Sequence, residues 1–138
     1  MKSGKFWLAV LGAGVVVNIL DAVVMGGVLE SSMAGIESVR PDMDAQIPWF
    51  VVGDFIFVLV MAWFYDRVYG SFGGGAKGGA TFGLYAGVIC NFPLWLFIHL
   101  MFKGFPYGLS WVLTFYGIIW GVIAGAVIGA LYKKPAAV

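Results

Sequence analysis

The chain is poor in charged residues and has one cysteine and one histidine among its 138 residues. Charged residues make up 11% of it and hydrophobic residues 62%, whereas soluble domains carry about 25% charged residues. This deficit excludes an ordinary soluble domain, and the lone Cys90 excludes a disulfide within the chain. A net charge of +1 gives no sign of the basic surface that nucleic-acid binding requires. So short a chain cannot bury this much apolar surface in its own core, so we expect a lipid bilayer to cover it.

Long apolar runs are what the sequence does have. Four segments approach the ~20 residues that cross a bilayer, and they cover residues 6–28, 47–65, 78–102 and 109–132. They predict an all-α fold, namely a transmembrane four-helix bundle with up-down-up-down topology, as a single domain over residues 1–138. Pro93 lies inside the third span and lacks a backbone N–H, so we expect a kink there. The first apolar run exceeds the ~7–15 residues of a signal-peptide core, which favours a retained span.

The basic residues fall mainly on one side of the predicted membrane. Cytoplasmic segments are enriched in Lys and Arg, so this asymmetry predicts that both termini are cytoplasmic, in a bacterial inner membrane. Lys2, Lys5, Arg67, Lys77, Lys133 and Lys134 lie on that side, against Arg40 and Lys103 on the other.

Glycine recurs at every fourth position of the last two spans. Because no hydrophobic effect drives helices together in lipid, small residues promote association by letting backbones approach closely. The pattern resembles a glycine zipper, and two arrangements follow from it. The two stripes pack on each other across the turn KGFPYG, or one of them meets another copy or another subunit. The third-span stripe is Gly79, Gly83 and Gly87, and the fourth-span stripe is Gly117, Gly121, Gly125 and Gly129.

Polar side chains gather in the outer half of the predicted bundle. Ionisable groups inside a membrane are costly and mark candidate functional sites. Asp21 and Asp54 lie about 12 Å and about 10 Å from the outer ends of their spans, at 1.5 Å per residue. The predicted cluster consists of Asn18, Asp21, Asp54, Asn91, His99 and Thr114.

Three interpretations of this cluster stay open. The first is a structural cluster, in which the two carboxyl groups bond to Asn18, Asn91 or Thr114 and share a proton. The second is a proton or cation site of a small oligomeric transporter or channel, and the third is a contact with a partner or cofactor.

His99 has two interpretations of its own. It is a hydrogen-bonded wall residue or, as the less favoured alternative, an axial ligand to a haem iron or chlorin magnesium. With one histidine in the chain, bis-histidine ligation is excluded. The sequence contains neither a Ser–His–Asp pattern nor H-E-x-x-H, and the G-x-G-x-x-G at residues 73–78 lacks a βαβ context. We therefore predict no enzyme activity, no metal site and no cofactor beyond the tetrapyrrole alternative.

The stretches NILDAVVMGGVL and VRPDM, with the glycine-rich last spans, resemble a group of small bacterial four-span membrane proteins. The resemblance implies no activity. Members of that group often carry a histidine a few residues after the first-span aspartate, where this chain has Val24, Met25 and Gly26.

We therefore expect an integral membrane protein that acts through helix–helix association, as a homo-oligomer or as an accessory subunit of a larger complex. The alternative is a small oligomeric transporter or channel for protons, cations or a small solute, using Asp21, Asp54 and Asn91.

Overall fold

The computed structural model describes residues 3–37, 39 and 42–134, and over these residues it is helical without strands. Helix α1 covers Gly4–Val23 and continues through a π-helical turn at Val24–Val28, and the short α2 covers Glu30–Met33. The remaining helices are α3 (Met43–Phe72), α4 (Gly75–Met101) and α5 (Tyr107–Leu131). Four of these segments are long and apolar enough to cross a membrane, and they pack against one another. The predicted all-α four-helix bundle is confirmed.

Side-chain contacts give the direction of each long helix. Phe6 at the start of α1 lies 6.0 Å, between ring centroids, from Tyr132 just after α5. Asp21, near the other end of α1, instead contacts Tyr116 in the first half of α5, so α1 and α5 are antiparallel. Short connections reverse the chain between α3 and α4 and between α4 and α5, and the long helices alternate in direction. We call the end that holds Phe6 and Tyr132 the terminal end, and the end with α2 and the α4–α5 turn the distal end.

Helices α4 and α5 pack glycine against glycine. A methyl group added at Gly121 would lie 2.6 Å from the carbonyl oxygen of Gly83, and one added at Gly79 would lie 2.8 Å from the Cα of Gly129. These distances leave no room for a side chain, so the two backbones are in direct contact. The fully buried residues of α4 are all glycines. Both glycine stripes are thus used inside the chain, and α4 continues as a helix through Pro93.

The bundle has two clusters of buried side chains. The terminal core is centred on Tyr65, which is 0% exposed and whose hydroxyl donates to the carbonyl of Gly73 at 2.9 Å. Gly73 has a φ of 73°, a conformation that favours glycine. The smaller distal cluster joins α5 to the chain around α2. The terminal core contains Phe6, Ala9, Val10, Ala13, Val17, Val58, Met61, Ala62, Tyr65, Ala124, Ile128 and Tyr132, and the distal cluster contains Leu29, Ile36, Phe105, Leu109 and Leu113.

The first third of α3 stands apart from both clusters. Of residues 43–53, Gln46 is half-buried and all the others are exposed, including Trp49 at 73% and Phe50 at 53%. The outer face of α4 is similarly open, with Leu100 at 76%. Contiguous apolar surface of this extent needs a non-aqueous environment. Its extent, on four candidate spans, indicates contact with a lipid bilayer, as in a multi-pass membrane protein.

Candidate functional site

Two carboxyl groups from different helices meet inside the candidate spans. Helix α1 carries Asp21 and helix α3 carries Asp54, both half-buried, and their carboxyl groups lie close to each other. An ionised carboxylate only accepts hydrogen bonds, so a bond between two carboxyl groups requires a proton on one of them.

Helix α5 supplies two donors to one member of the pair. The hydroxyl of Tyr116 donates to Oδ1 of Asp21, and the indole Nε1 of Trp120 donates to Oδ2 at 3.0 Å. Residues four apart lie on the same face of a helix, which aims both donors at one carboxylate. Both oxygens of Asp21 therefore accept a hydrogen bond from α5.

Three other polar residues of the predicted cluster bond to their own helices. Each side chain donates to the backbone carbonyl four residues earlier, a local bond that competes with interactions across the bundle. Asp21 therefore takes its donors from the aromatic residues of α5 and not from the amides. The three bonds are Asn18 to Gly14 (2.8 Å), Asn91 to Gly87 (3.0 Å) and Thr114 to Ser110 (2.8 Å).

Asn91, a member of the predicted polar cluster, lies against Gly117, a member of the glycine stripe of α5. A methyl group added at Gly117 would collide with the Asn91 amide, its Nδ2 standing 2.7 Å away. Asn91 therefore fills the notch that Gly117 leaves in α5.

His99 lies away from the carboxyl pair, at the distal end. Its Nδ1 is 2.7 Å from the carbonyl oxygen of Phe105, and its ring is 5.2 Å from that of Tyr107. A carbonyl oxygen only accepts, so Nδ1 carries the hydrogen and donates. The contact ties the end of α4 to the turn before α5. Tetrapyrrole ligation by His99 stays a prediction.

A second acidic contact, at the terminal end, joins α3 to the residues that follow α5. The hydroxyl of Tyr132 donates to Oδ1 of Asp66 at 2.5 Å. The Nζ of Lys134 donates to the backbone carbonyl of Asp66 at 2.8 Å and lies 3.8 Å from Oδ1. Burial, reinforced by the hydrogen bond to Asp66, raises the pKa of the Tyr132 phenol above its ordinary value. This contact fixes the ends of α3 and α5 relative to each other.

Sequence reasoning missed Tyr116, Trp120 and Asp66. Spans of this kind carry many aromatic residues, and an aromatic residue in an apolar run gives no sign by itself of a partner on another helix. One signal was available: Tyr116 and Trp120 are the polar-tipped aromatic residues of α5 that stand four apart in mid-span. Asp66 lies just beyond the predicted second span, so nothing in its position suggested an intramolecular partner.

Comparisons of the chain with protein-family models, curated proteins and solved structures find no significant match. The resemblance to small bacterial four-span membrane proteins therefore stays a prediction. Fold and site together define a class: a multi-pass membrane protein with two neighbouring carboxyl groups inside its candidate spans.

Proposed function

We propose that the protein binds and releases a proton at the Asp21–Asp54 pair, as a small proton-coupled transporter or channel that works as an oligomer. The observation that carries this proposal is the close approach of two carboxyl groups from different helices, one of which is held by two donors on a third helix. Intramembrane carboxyl groups are typical of proton relays in pumps and transporters.

A proton suits this pair better than a metal ion does. Hard cations such as Ca²⁺ take about 6–8 oxygen ligands. In the part of the chain that the structure describes, no three His, Cys, Asp or Glu side chains come together. Two neighbouring carboxyl groups need no further ligand to hold one proton between them.

The position of Asp54 supports release as well as binding. It lies where α3 joins the bundle: residues 43–53 are almost entirely exposed, whereas Val58 is 0% exposed. Gly53 precedes Asp54 directly and has open space around its Cα. A bend at Gly53 moves Asp54 away from Asp21 while the terminal core stays closed. Asp21 keeps its two donors on α5, so Asp54 is the group that delivers the proton.

Proton flux into liposomes that contain a pH-sensitive dye tests the proposal. We expect Asp54→Asn to lower the flux to that of protein-free liposomes, because an amide cannot release a proton. Asp44→Asn is the matched control, since Asp44 is an exposed carboxyl group in the first turn of the same helix. A folded Asp54→Asn protein with wild-type flux would show that the pair has only a structural role.

A lipid-soluble carbodiimide gives a second readout that needs no substrate, since it reacts with protonated carboxyl groups in an apolar environment. We expect peptide mass analysis to find the label on Asp54, and to find none there in Asp54→Asn. Labelling that spreads equally over Asp44 and Asp54, or spares Asp54, contradicts the proposed protonation.

A second candidate function, accessory subunit or homo-oligomer, is favoured by the exposed first third of α3. Both glycine stripes are occupied within the chain, so a neighbouring helix would have to use another surface, and this exposed apolar segment offers one. Mild detergent extraction followed by native mass measurement is the test. Multiples of 14.9 kDa that dissociate in Trp49→Ala support it, with Leu100→Ala on α4 as the control. A single chain of 14.9 kDa contradicts it.

The proposed orientation in a bacterial inner membrane keeps both termini in the cytoplasm. The described basic residues support it, since Lys5, Arg67, Lys77, Lys133 and Lys134 all belong to the terminal end, and Lys103 to the distal end. Cysteine substituted for Lys77 in a Cys90→Ala background should resist an impermeant thiol reagent in intact cells. Cysteine at Lys103 should react.

A further inference from the structure

An apolar groove runs between α1 and α3 in the terminal half of the bundle. Its volume is about 420 Å³, and it is lined by Phe6, Trp7, Leu59, Val60 and Trp63. Phe6 is 1% exposed and forms the floor, while Trp7 and Trp63 are 50% and 41% exposed and form the walls. The groove opens away from the bundle, so in a membrane it faces the acyl chains.

A cation stacks on the Trp63 ring, which forms one wall of this groove. Arg67 follows Trp63 by one helical turn, and its guanidinium carbon lies 4.7 Å from the centroid of the Trp63 ring. Within the described part of the chain no carboxylate forms a salt bridge with Arg67. Stacking on the indole holds the guanidinium over the groove wall and leaves its N–H donors available.

We propose that this groove binds an anionic phospholipid, with one acyl chain against Phe6 and Val60 and the phosphate on Arg67. The lining is almost entirely apolar, so it suits a hydrocarbon chain and has few polar groups that would orient a polar ligand. Trp and Arg side chains at the end of a span lie at headgroup depth. Guanidinium binds phosphate through paired N–H donors, and basic residues near the bilayer surface attract anionic lipids. The site is separate from the carboxyl pair, so this proposal does not depend on proton transfer.

The test compares the thermal stability of the purified protein in neutral detergent after addition of phosphatidylglycerol or phosphatidylcholine. A ligand that binds the folded state raises the unfolding midpoint. We expect phosphatidylglycerol to raise the midpoint more than phosphatidylcholine does, and Arg67→Gln to abolish that difference. Lys77→Gln, which removes one positive charge at the same end from an exposed position on α4, should preserve it.

Two further measurements separate the groove from general charge attraction. Val60→Trp keeps every charge and fills the groove, so it should reduce stabilisation by both lipids. Inorganic phosphate alone should not reproduce the effect, because it has no acyl chain. The proposal is overturned if both lipids stabilise equally, if Lys77→Gln acts as strongly as Arg67→Gln, or if phosphate alone suffices. The proposal is also overturned if Val60→Trp leaves the stabilisation by lipid unchanged. A Val60→Trp protein whose only change is the separation of a dimer, seen by native mass measurement, overturns it as well.

Discussion

The terminal and distal halves of the bundle are built from the same apolar helices and differ in how α3 is held. In the terminal half, Tyr65 is fully enclosed and Val58, Met61 and Ala62 pack on α1 and α5. In the distal half the same helix exposes Trp49 and its neighbours. Both halves are built from largely apolar segments, and in lipid apolarity gives helices no reason to associate. The difference lies in packing shape and hydrogen bonding. In the terminal half, small residues allow close packing and the Tyr65 hydroxyl donates a hydrogen bond, whereas the first third of α3 makes neither kind of contact.

The carboxyl pair lies at the boundary between these halves. Asp54 is the half-buried residue at which α3 turns from exposed to enclosed. A group that must bind and release a proton is better placed at such a boundary than inside a closed core, because one partner can move while the other is held. The contrast between a fixed and a loosely held half is therefore the structural basis of the proposed function.

Removing the tyrosine at the centre of the terminal core is expected to have the largest effect. Tyr65→Ala should lower the free energy of unfolding by about 3–5 kcal/mol, as for other large aromatic residues truncated in a core. Trp49→Ala removes a larger ring from the exposed segment and should change the stability of the monomer by less than about 0.5 kcal/mol. Unfolding by a denaturing detergent in mixed micelles measures both. Equal losses would mean that α3 is held equally in both halves.

Adding one methyl group to the glycine contact is expected to have the next largest effect. In Gly83→Ala the new Cβ would lie 2.8 Å from the carbonyl carbon of Gly121, and overpacking of this kind costs about 1–3 kcal/mol. The matched variant is Gly53→Ala, since nothing lies within 4 Å of the added atom. There we expect a gain of about 0.5–1 kcal/mol, because alanine is the better helix former. The same unfolding assay compares the two, and a neutral Gly83→Ala would contradict direct backbone contact.

Alkaline pH should weaken the terminal half through Tyr132. Its folded pKa is raised by burial and by Asp66, with Tyr69 adding to the effect. Stability from the neutral phenol is therefore complete below the unfolded pKa of about 10 and is lost as pH rises toward the folded value. Unfolding midpoints measured above about pH 10 should fall more steeply in the wild type than in Tyr132→Phe. Tyr107→Phe, which removes a phenol that is 57% exposed, should retain the wild-type slope. Parallel slopes for the wild type and Tyr132→Phe are the contrary result.

The smallest effect is expected from the exposed ion pair beside that phenol. The Lys134 side chain is 45% exposed, and exposed pairs contribute about 0–1 kcal/mol. Lys134→Gln should therefore shift the unfolding midpoint less than Tyr132→Phe does at any pH below the phenol's transition. A larger shift for Lys134→Gln would indicate that the ion pair, and not the phenol, secures the end of α5.

The fold was largely predictable, since hydropathy and length are properties of each segment alone. The structure confirms four long apolar helices, although α3 begins at Met43 and ends at Phe72, beyond the stretch 47–65 set by hydropathy. Those extra turns carry Asp66 and Tyr69, so the terminal contact to Tyr132 was outside the predicted span. Helices extend past the apolar run when partners and short connections stabilise the added turns, which hydropathy does not report.

The candidate site was predictable only in part. Equal depth brought Asp21 and Asp54 into one predicted layer, and depth follows from residue counting. Their donors were not predictable in the same way, because Asn18 and Asn91 turned back onto their own helices while Trp120 reached across. Which side chain crosses between helices depends on how each helix is rotated about its axis. The glycine stripes specify that rotation for α4 and α5, and no comparable periodicity specifies it for α1 and α3.

The sequence by itself determined the solvent and the secondary structure, since a backbone in lipid must satisfy its own hydrogen bonds and so forms helices. Only the tertiary structure decided that the two glycine stripes meet each other, that the carboxyl pair takes its donors from α5, and that α3 is held at one end. Those outcomes depend on contacts between residues far apart in the chain. Because most faces of the helices are hydrophobic, backbone shape and a few polar groups decide which faces meet.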